Sequence, residues 1–180
     1  MEQELEVKIL NEDIEKIKER AISLGAVEIA HEKQINTVID SSSFDLIEKD
    51  SYLRIRELQD LNQNISKNQL TFKKKIQNKS VRENHEYTVE FDDVSMMKEI
   101  LKNLKLDRMS TGYKERYSYS FMGARLDFDY WDKDTYPYPY MEIEVKRQED
   151  LKEIIDLLEI SESSISTKSI TQLQQELKEV

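Results

Sequence analysis

Cysteine is absent from this 180-residue sequence, and histidine occurs only as His31 and His85. The lack of cysteine excludes disulfide bonds, thiolate metal sites and a cysteine nucleophile. Two histidines are too few for a zinc site built from several imidazoles, so a bound metal would need oxygen ligands. Mg²⁺ and Mn²⁺ are the natural candidates for such a site.

Long apolar runs are also missing. No segment approaches the roughly 20 apolar residues that a membrane span requires. The N-terminus is charged from Glu2 onward, so nothing indicates export and we expect a cytoplasmic protein. The net charge of −10 argues against a general nucleic-acid or anionic-membrane surface. A chain of this length is expected to form a single domain over residues 1–180.

Apolar residues recur with two different periods along the chain. Helical spacing of apolar residues predicts helices over 12–25, 94–104, 151–158 and 168–179. A period of two predicts strands over 2–10, 27–40, 51–58, 69–76, 82–91, 106–121, 124–132 and 138–146. The polar segment 60–68 (QDLNQNISK) is predicted to be a mobile hairpin loop.

The predicted strands share one apolar face and one face with charges of both signs. In the opening strand, Glu4, Glu6 and Lys8 alternate with apolar residues. The same alternation places further charges on one face of later strands: Arg54 and Arg56, Lys73 and Lys75, Arg82, Glu86 and Glu90, Lys114 and Arg116, Arg125, Asp127 and Asp129, and Glu142 and Glu144. For a single strand, this pattern is typical of a solvated sheet face with cross-strand ion pairs.

Eight such strands together favour a different arrangement. Helices need the apolar faces to pack on, which leaves all charged faces on the other side of one sheet, and a sheet of this size tends to curl and close. We therefore predict an α+β fold, a closed eight-stranded antiparallel β-barrel with helices packed on the outside. Because unpaired charges out of water are costly, the charged lumen must hold water and a ligand of matching charge. Arginine and lysine suit phosphate oxygens, and carboxylates at i and i+2 suit a divalent cation.

The order of the charged motifs resembles the CYTH superfamily, the triphosphate tunnel metalloenzymes. Glu4-Leu5-Glu6-Val7-Lys8 fits the ExExK signature, and it is followed by LRIR, TFKK, a strand from Arg82 to Glu86, Lys114-Glu115-Arg116, RLDFD and Glu142-Ile143-Glu144. The resemblance extends over residues 2 to about 175. The superfamily includes class IV adenylyl cyclases, thiamine triphosphatases and inorganic triphosphatases.

The resemblance implies a tunnel that binds a triphosphate with the help of two metal ions, Mg²⁺ or Mn²⁺. Catalytic roles are implied for Glu4, Glu6 and Lys8. Substrate binding is implied for Lys8, Arg54, Arg56, Lys73, Arg82, Lys114, Arg116 and, at the tunnel mouth, Lys168. Metal binding is implied for Glu142 and Glu144 as the main ligands and for Glu4, Glu6, Glu86 and Asp127. Asn84 departs from the R-x-E-x-E run of many members, which weakens the implied part of this strand in metal binding.

Several activities suit such a tunnel. Hydrolysis of inorganic tripolyphosphate or of an organic or nucleoside triphosphate is favoured. The motifs found in the sequence suit phosphate and metal, and none of them indicates an adenine pocket. The alternative is a class IV adenylyl cyclase that converts ATP to cyclic AMP and pyrophosphate. A thiamine triphosphatase and a non-catalytic polyphosphate-binding module remain open. The expected partner is a small-molecule triphosphate rather than a nucleic acid or a membrane, and the resemblance is compatible with a homodimer.

Overall fold

The computed structural model describes residues 2–44, 51–76 and 82–178. Its long strands are β1 (Glu2–Ile9), β2 (Val27–Asp40), β3 (Tyr52–Asp60), β4 (Ile65–Ile76), β5 (Arg82–Phe91), β6 (Arg108–Phe121), β7 (Ala124–Trp131) and β8 (Tyr140–Val145), and a short β9 spans Ile165–Ser166. The helices are α1 (Ile14–Ser23), α2 (Val94–Asn103), α3 (Gln148–Leu157) and α4 (Ile170–Lys178).

The eight long strands form one closed antiparallel barrel. Around the barrel the strands follow the order β5, β4, β3, β2, β6, β7, β8 and β1, and pairing of β1 with β5 closes the ring. The short β9 adds to β1 where Ile9 pairs with Ile165. The predicted α+β barrel is therefore confirmed, and β9 is an addition that the sequence patterns did not predict.

Helices α1, α2 and α3 cover the outside of the barrel. Helices α1 and α3 pack on β1, β6, β7 and β8 through a core that includes Ile17, Ile154 and Phe128. Helix α2 packs Leu101 on the outer faces of β2 and β3. Burial of each such side chain contributes about 1.5–3 kcal/mol, so these contacts fix which strand face points outward. Among the described helices, none has the length and apolarity of a membrane span.

Helix α4 packs at the end of the barrel where β7 stops and β8 begins. Its Leu173 lies in a small cluster with Tyr136 and Tyr140, and Trp131 packs against the same cluster. Trp131 also donates from Nε1 to the hydroxyl of Tyr140 at 2.9 Å. This aromatic cluster holds the first turn of α4 beside the opening of the barrel.

The hairpin predicted at residues 60–68 is present, but its loop is shorter than predicted. Strand β3 continues to Asp60 and β4 starts at Ile65, so only residues 61–64 form the turn. The Asp60 carboxylate accepts hydrogen bonds from the backbone N–H groups of Asn62 at 2.9 Å and Gln63 at 3.1 Å, and Asn64 adopts a φ of 54°. A capping aspartate and an asparagine in the left-handed region permit a tight turn without glycine, which explains why the polar composition resembled a longer loop.

Candidate active site

The inner faces of the barrel strands enclose a charged cavity of about 130 Å³. Successive side chains of a strand point to opposite faces, so residues that alternate with the packed apolar ones point inward. The charged side chains that line the cavity are Glu6, Lys8, Arg54, Arg56, Lys73, Glu86, Lys114, Arg116, Arg125, Asp127, Glu142 and Glu144. Aromatic rings of Tyr52, Trp131 and Tyr140 and the start of α4 complete the lining.

Strand β3 contributes two arginines that contact no carboxylate in the described part of the chain, although the more distant Glu86 favours their charge. Within the described residues, neither Arg54 nor Arg56 lies within 4.0 Å of an acidic side chain. The buried Nε of Arg54 has no hydrogen-bond partner. Burial, followed by repulsion from Arg54, lowers the pKa of Arg56 to about 10. Two adjacent cations with unused donors form a wall that suits an anion.

Arg116 on β6 has the opposite environment. Its Nη1 donates to Asp127 at 2.6 Å, and its Nη2 donates to Glu142 at 2.6 Å. Its Nε and Nη2 also donate to the two oxygens of Asp129 at 2.5 and 2.6 Å. Burial opposes the charge of Arg116, but these three carboxylates outweigh it and raise its pKa well above the ordinary value. Arg116 is thus the counterion of the acidic side of the lumen.

Two lysines connect the acidic groups of β1, β5 and β8. The ammonium of Lys8 lies 2.7 Å from Glu142 and 3.9 Å from Glu6, and that of Lys73 lies 2.9 Å from Glu86 and 3.7 Å from Glu6. Burial opposes ionisation of Glu142, but Lys8 and Arg116 hold its pKa well below the ordinary value. Glu142 is therefore ionised in the lumen.

Lys114 is a buried cation of the site with a strongly lowered pKa. Its ammonium lies 2.9 Å from Asp129 and 5.1 Å from the centre of the Trp131 ring. Burial and then repulsion from Arg116 lower its pKa to about 7, although Asp129 and Glu142 oppose the shift. The charge of this lysine can therefore change near neutral pH.

Most of the residues predicted for the site meet in this one cavity. The structure brings together Glu6, Lys8, Arg54, Arg56, Lys73, Glu86, Lys114, Arg116, Asp127, Glu142 and Glu144. Lys168 lies apart at the surface, where its ammonium is 2.6 Å from Glu176, although the neighbouring Ser169 and Ile170 do line the cavity. The side chains of Glu4 and Arg82 lie outside the described part of the structure.

Two groups of buried polar residues were assigned no role at the site from the sequence, although the alternation placed Asp129 on the charged strand face. One is Asp129, which contacts both Lys114 and Arg116. The other is a row on the inner face of β2, where Gln34 donates to Glu32 at 2.5 Å, Asn36 donates to Gln34 at 3.3 Å and Arg56 donates to Asn36 at 3.1 Å. The spacing of Glu32, Gln34 and Asn36 at i, i+2 and i+4 was the available signal. It was obscured because Lys33 and Thr37 make the opposite face polar as well.

The acidic lining fits a hard divalent cation in its chemistry. Glu6, Asp127, Glu142 and Glu144 present oxygen ligands to one cavity, and the sequence has no cysteine thiolate to offer. In the described residues, however, no three acidic or histidine side chains converge closely enough to form a metal site. Arg116 and the lysines lie between the carboxylates, so a metal would have to replace some of these cations as their partner.

Comparison with known proteins agrees with this geometry. The CYTH domain matches residues 2–172. The chain belongs to the CYTH family. Members of the family are triphosphatases or cyclases, act on small-molecule triphosphates and are metal-dependent in general. No match was found among curated proteins.

Several solved structures share the fold over nearly the whole chain. The PH1012 protein of Pyrococcus horikoshii OT3 is 22% identical with a TM-score of 0.78, covering 94% of this chain and 98% of that protein. The PH1819 protein of the same organism is 25% identical with a TM-score of 0.77, covering 96% and 98%. HpAC1 from Hippeastrum, described as a putative adenylyl cyclase with a dominant triphosphatase activity, is 18% identical with a TM-score of 0.65, covering 94% and 91%.

Proposed function

We propose that this CYTH protein is a divalent-metal-dependent triphosphatase that hydrolyses a phosphoanhydride bond of a triphosphate bound in the barrel. The observation that carries the proposal is that one cavity is lined by both cationic and anionic side chains. Among the described residues, no carboxylate contacts the cationic wall of Arg54 and Arg56, while Asp127, Glu142 and Glu144 supply oxygen ligands in the same lumen. A polyphosphate with a divalent cation complements both halves.

In this proposal the cations bind and orient the triphosphate. Arg54 and Arg56 donate hydrogen bonds to phosphate oxygens, and Lys8, Lys73 and Lys114 add point charges around them. Arg82 and Lys168 remain proposed contributors to substrate binding. Positioning and charge stabilisation dominate phosphoryl transfer, so this cationic lining accounts for much of the catalysis without a covalent intermediate.

The carboxylates are assigned to the metal and to the attacking water. Glu142 and Glu144 are the proposed main ligands, with Glu4, Glu6, Glu86 and Asp127 as further ones. A bound Mg²⁺ or Mn²⁺ would neutralise phosphate charge and make water a stronger nucleophile. Glu4, Glu6 and Lys8 act next to that water. Attack on the terminal phosphorus breaks one P–O bond and gives orthophosphate and a diphosphate.

A class IV adenylyl cyclase is the second candidate, and one observation favours it. A further cavity of about 750 Å³ lies beside α4 at the opening of the barrel and shares Trp131 and Ile170 with the charged lumen. Its lining includes the neutral polar residues Asn36, Ser110 and Gln174. Such a space can take an organic group attached to the triphosphate. In the cyclase the ribose 3′-hydroxyl would attack the α-phosphorus and diphosphate would leave.

Product analysis tests these functions directly. The protein is incubated with tripolyphosphate, ATP or thiamine triphosphate in the presence of Mg²⁺, Mn²⁺ or a chelator. Orthophosphate formation that requires the metal supports the triphosphatase, and the preferred substrate identifies its class. Cyclic AMP with diphosphate from ATP would replace the triphosphatase by the cyclase. Tight binding without any product would instead indicate a polyphosphate-binding module.

A further inference from the structure

Asp129 is a lumen carboxylate to which the proposed function assigns no direct task. It lies on the inner face of β7, two residues after Asp127, and its exposed fraction is 0%. It is not among the residues that line the charged cavity. A group without access to the cavity acts on a ligand only through its neighbours.

Both neighbours of Asp129 are cations that do line the cavity. One carboxylate oxygen accepts from Arg116 Nε at 2.5 Å, and the other accepts from Arg116 Nη2 at 2.6 Å and from Lys114 Nζ at 2.9 Å. A bidentate contact fixes the plane of a guanidinium as well as its position. The ring of Trp131 lies on another side of Lys114, 5.1 Å from its ammonium. One buried carboxylate therefore fixes two cationic groups of the lumen.

Asp129 differs from the other carboxylates around Arg116. Asp127 and Glu142 line the cavity and are proposed metal ligands, so a metal would compete with Arg116 for them. Asp129 has no such access, and its bidentate contact can persist when the cavity is filled. Burial opposes its ionisation, but Arg116 and Lys114 hold the pKa of Asp129 below its ordinary value. Asp129 is thus a permanent anchor for Arg116.

We propose that Asp129 is a positioning residue that holds Lys114 and Arg116 in the arrangement that binds the triphosphate. This inference rests on the proposed function, because it presumes that the lumen binds a triphosphate. Asp129 belongs to neither the metal ligands nor the residues that touch the substrate. Its removal should therefore weaken triphosphate binding more than it slows the chemical step.

The test uses two variants of Asp129. Asp129→Asn keeps the shape of the side chain and removes its negative charge, whereas Asp129→Glu keeps the carboxylate and displaces it by one methylene group. Asp150→Asn is the matched control, because Asp150 also makes a bidentate contact, to Arg147, but on the outer surface at the start of α3. Tripolyphosphate binding is measured by calorimetry in metal-free buffer, kcat and KM are measured with Mg²⁺, and circular dichroism reports folding.

We expect Asp129→Asn to bind tripolyphosphate about 10- to 100-fold more weakly and to raise KM, with kcat within about threefold of the wild type. Asp150→Asn should match the wild type. In an Arg116→Gln background, Asp129→Asn should have a smaller effect, because the two residues act as a unit. If Asp129→Asn fails to fold, Asp129→Glu decides, with the same rise in KM expected.

Two results would overturn the inference in distinguishable ways. A folded Asp129 variant with wild-type binding and KM, or with full additivity to Arg116→Gln, would remove the positioning role and leave the proposed function intact. A wild-type protein that neither binds nor hydrolyses a triphosphate would overturn both.

Discussion

Arg56 donates a hydrogen bond from Nε to the amide oxygen of Asn36, 3.1 Å away across the β2–β3 pair. A neutral amide thus orients this guanidinium, and among the described residues no carboxylate contacts it. Asn36 is in turn held by Gln34, and Gln34 by Glu32. Arg116 is held just as firmly, but by carboxylates. The two arginines share a lumen and differ in whether their charge remains available to an anion.

A carboxylate at position 36 should remove this availability. Asn36→Asp keeps the size of the side chain and places a negative charge next to Arg56, so tripolyphosphate affinity should fall about 10- to 100-fold. Asn36→Ala loses the hydrogen bond without adding charge and should cost less. Calorimetric titration of both variants in metal-free buffer measures the difference. Equal losses in the two variants would show that orientation rather than free charge governs binding.

Arg54 should contribute mainly to substrate binding. Its Nε is buried without a partner in the described residues, and its Nη1 makes only a long contact of 3.5 Å with the Tyr52 hydroxyl, so Arg54→Ala mainly removes donors and a charge that can serve a ligand. We expect KM to rise about 10- to 100-fold with a smaller change in kcat. Arg147→Ala, which removes an arginine paired with Asp150 outside the lumen, serves as the control for steady-state kinetics. A predominant loss of kcat would place Arg54 in the chemical step instead.

Carboxylate variants should affect turnover. Glu6→Ala and Glu144→Ala each remove an oxygen ligand from the lumen, and we expect kcat to fall about 100-fold or more, as when a group that stabilises transition-state charge is lost. Glu99→Ala, on the exposed face of α2, should have no effect. Chelation should abolish turnover of the wild type, and added Mg²⁺ or Mn²⁺ should restore it. Near-normal kcat in both lumen variants would contradict the assigned roles.

The lowered pKa of Lys114 predicts that triphosphate binding depends on pH. Its pKa is lowered to about 7, mainly by burial and then by Arg116. A bound anion favours the charged lysine, so affinity should be full below that pKa and should fall as pH rises above it, by up to about tenfold per pH unit. The charged groups around Lys114 that set this pKa are Arg56, Arg116, Asp129 and Glu142.

The lysine contribution can be separated from protonation of the ligand. Lys114→Met should bind tripolyphosphate more weakly at pH 6 and should approach the wild type at pH 9, because the wild-type lysine is neutral there. Protonation of tripolyphosphate itself affects both proteins equally. Calorimetric titrations of the two proteins across this pH range give the difference. A constant ratio of the two affinities would refute the assignment.

The sequence allowed the barrel and much of its lining to be predicted because the alternation of charged and apolar residues is strict in the strands that helices cover. Glu6 and Lys8 point inward because Val7 and Ile9 are buried under α1 and α3. Strand β2 lacks this contrast, since Lys33 faces outward as Gln34 faces inward, and its polar row was therefore missed. Asp129 was recognised on the charged face, but its contacts with Arg116 and Lys114 depend on the β6–β7 register. Register between strands is a tertiary property that single-strand periodicity does not contain.

The close approach of Thr135 to Gly112 on β6 predicts that a larger residue at position 112 would lower stability. A methyl group at this position would lie 2.4 Å from Oγ1 and 2.7 Å from Cγ2 of Thr135, so Gly112→Ala must displace the segment that follows β7. We expect a loss of about 1–3 kcal/mol in the free energy of unfolding, typical of overpacking. Thr135→Ala removes the two closest atoms and leaves only Cβ, at 3.1 Å. The double variant should therefore regain much of the loss, and urea denaturation of the single and double variants measures the coupling. Additive losses would show that Gly112 is required by the β6 backbone rather than by the approach of Thr135.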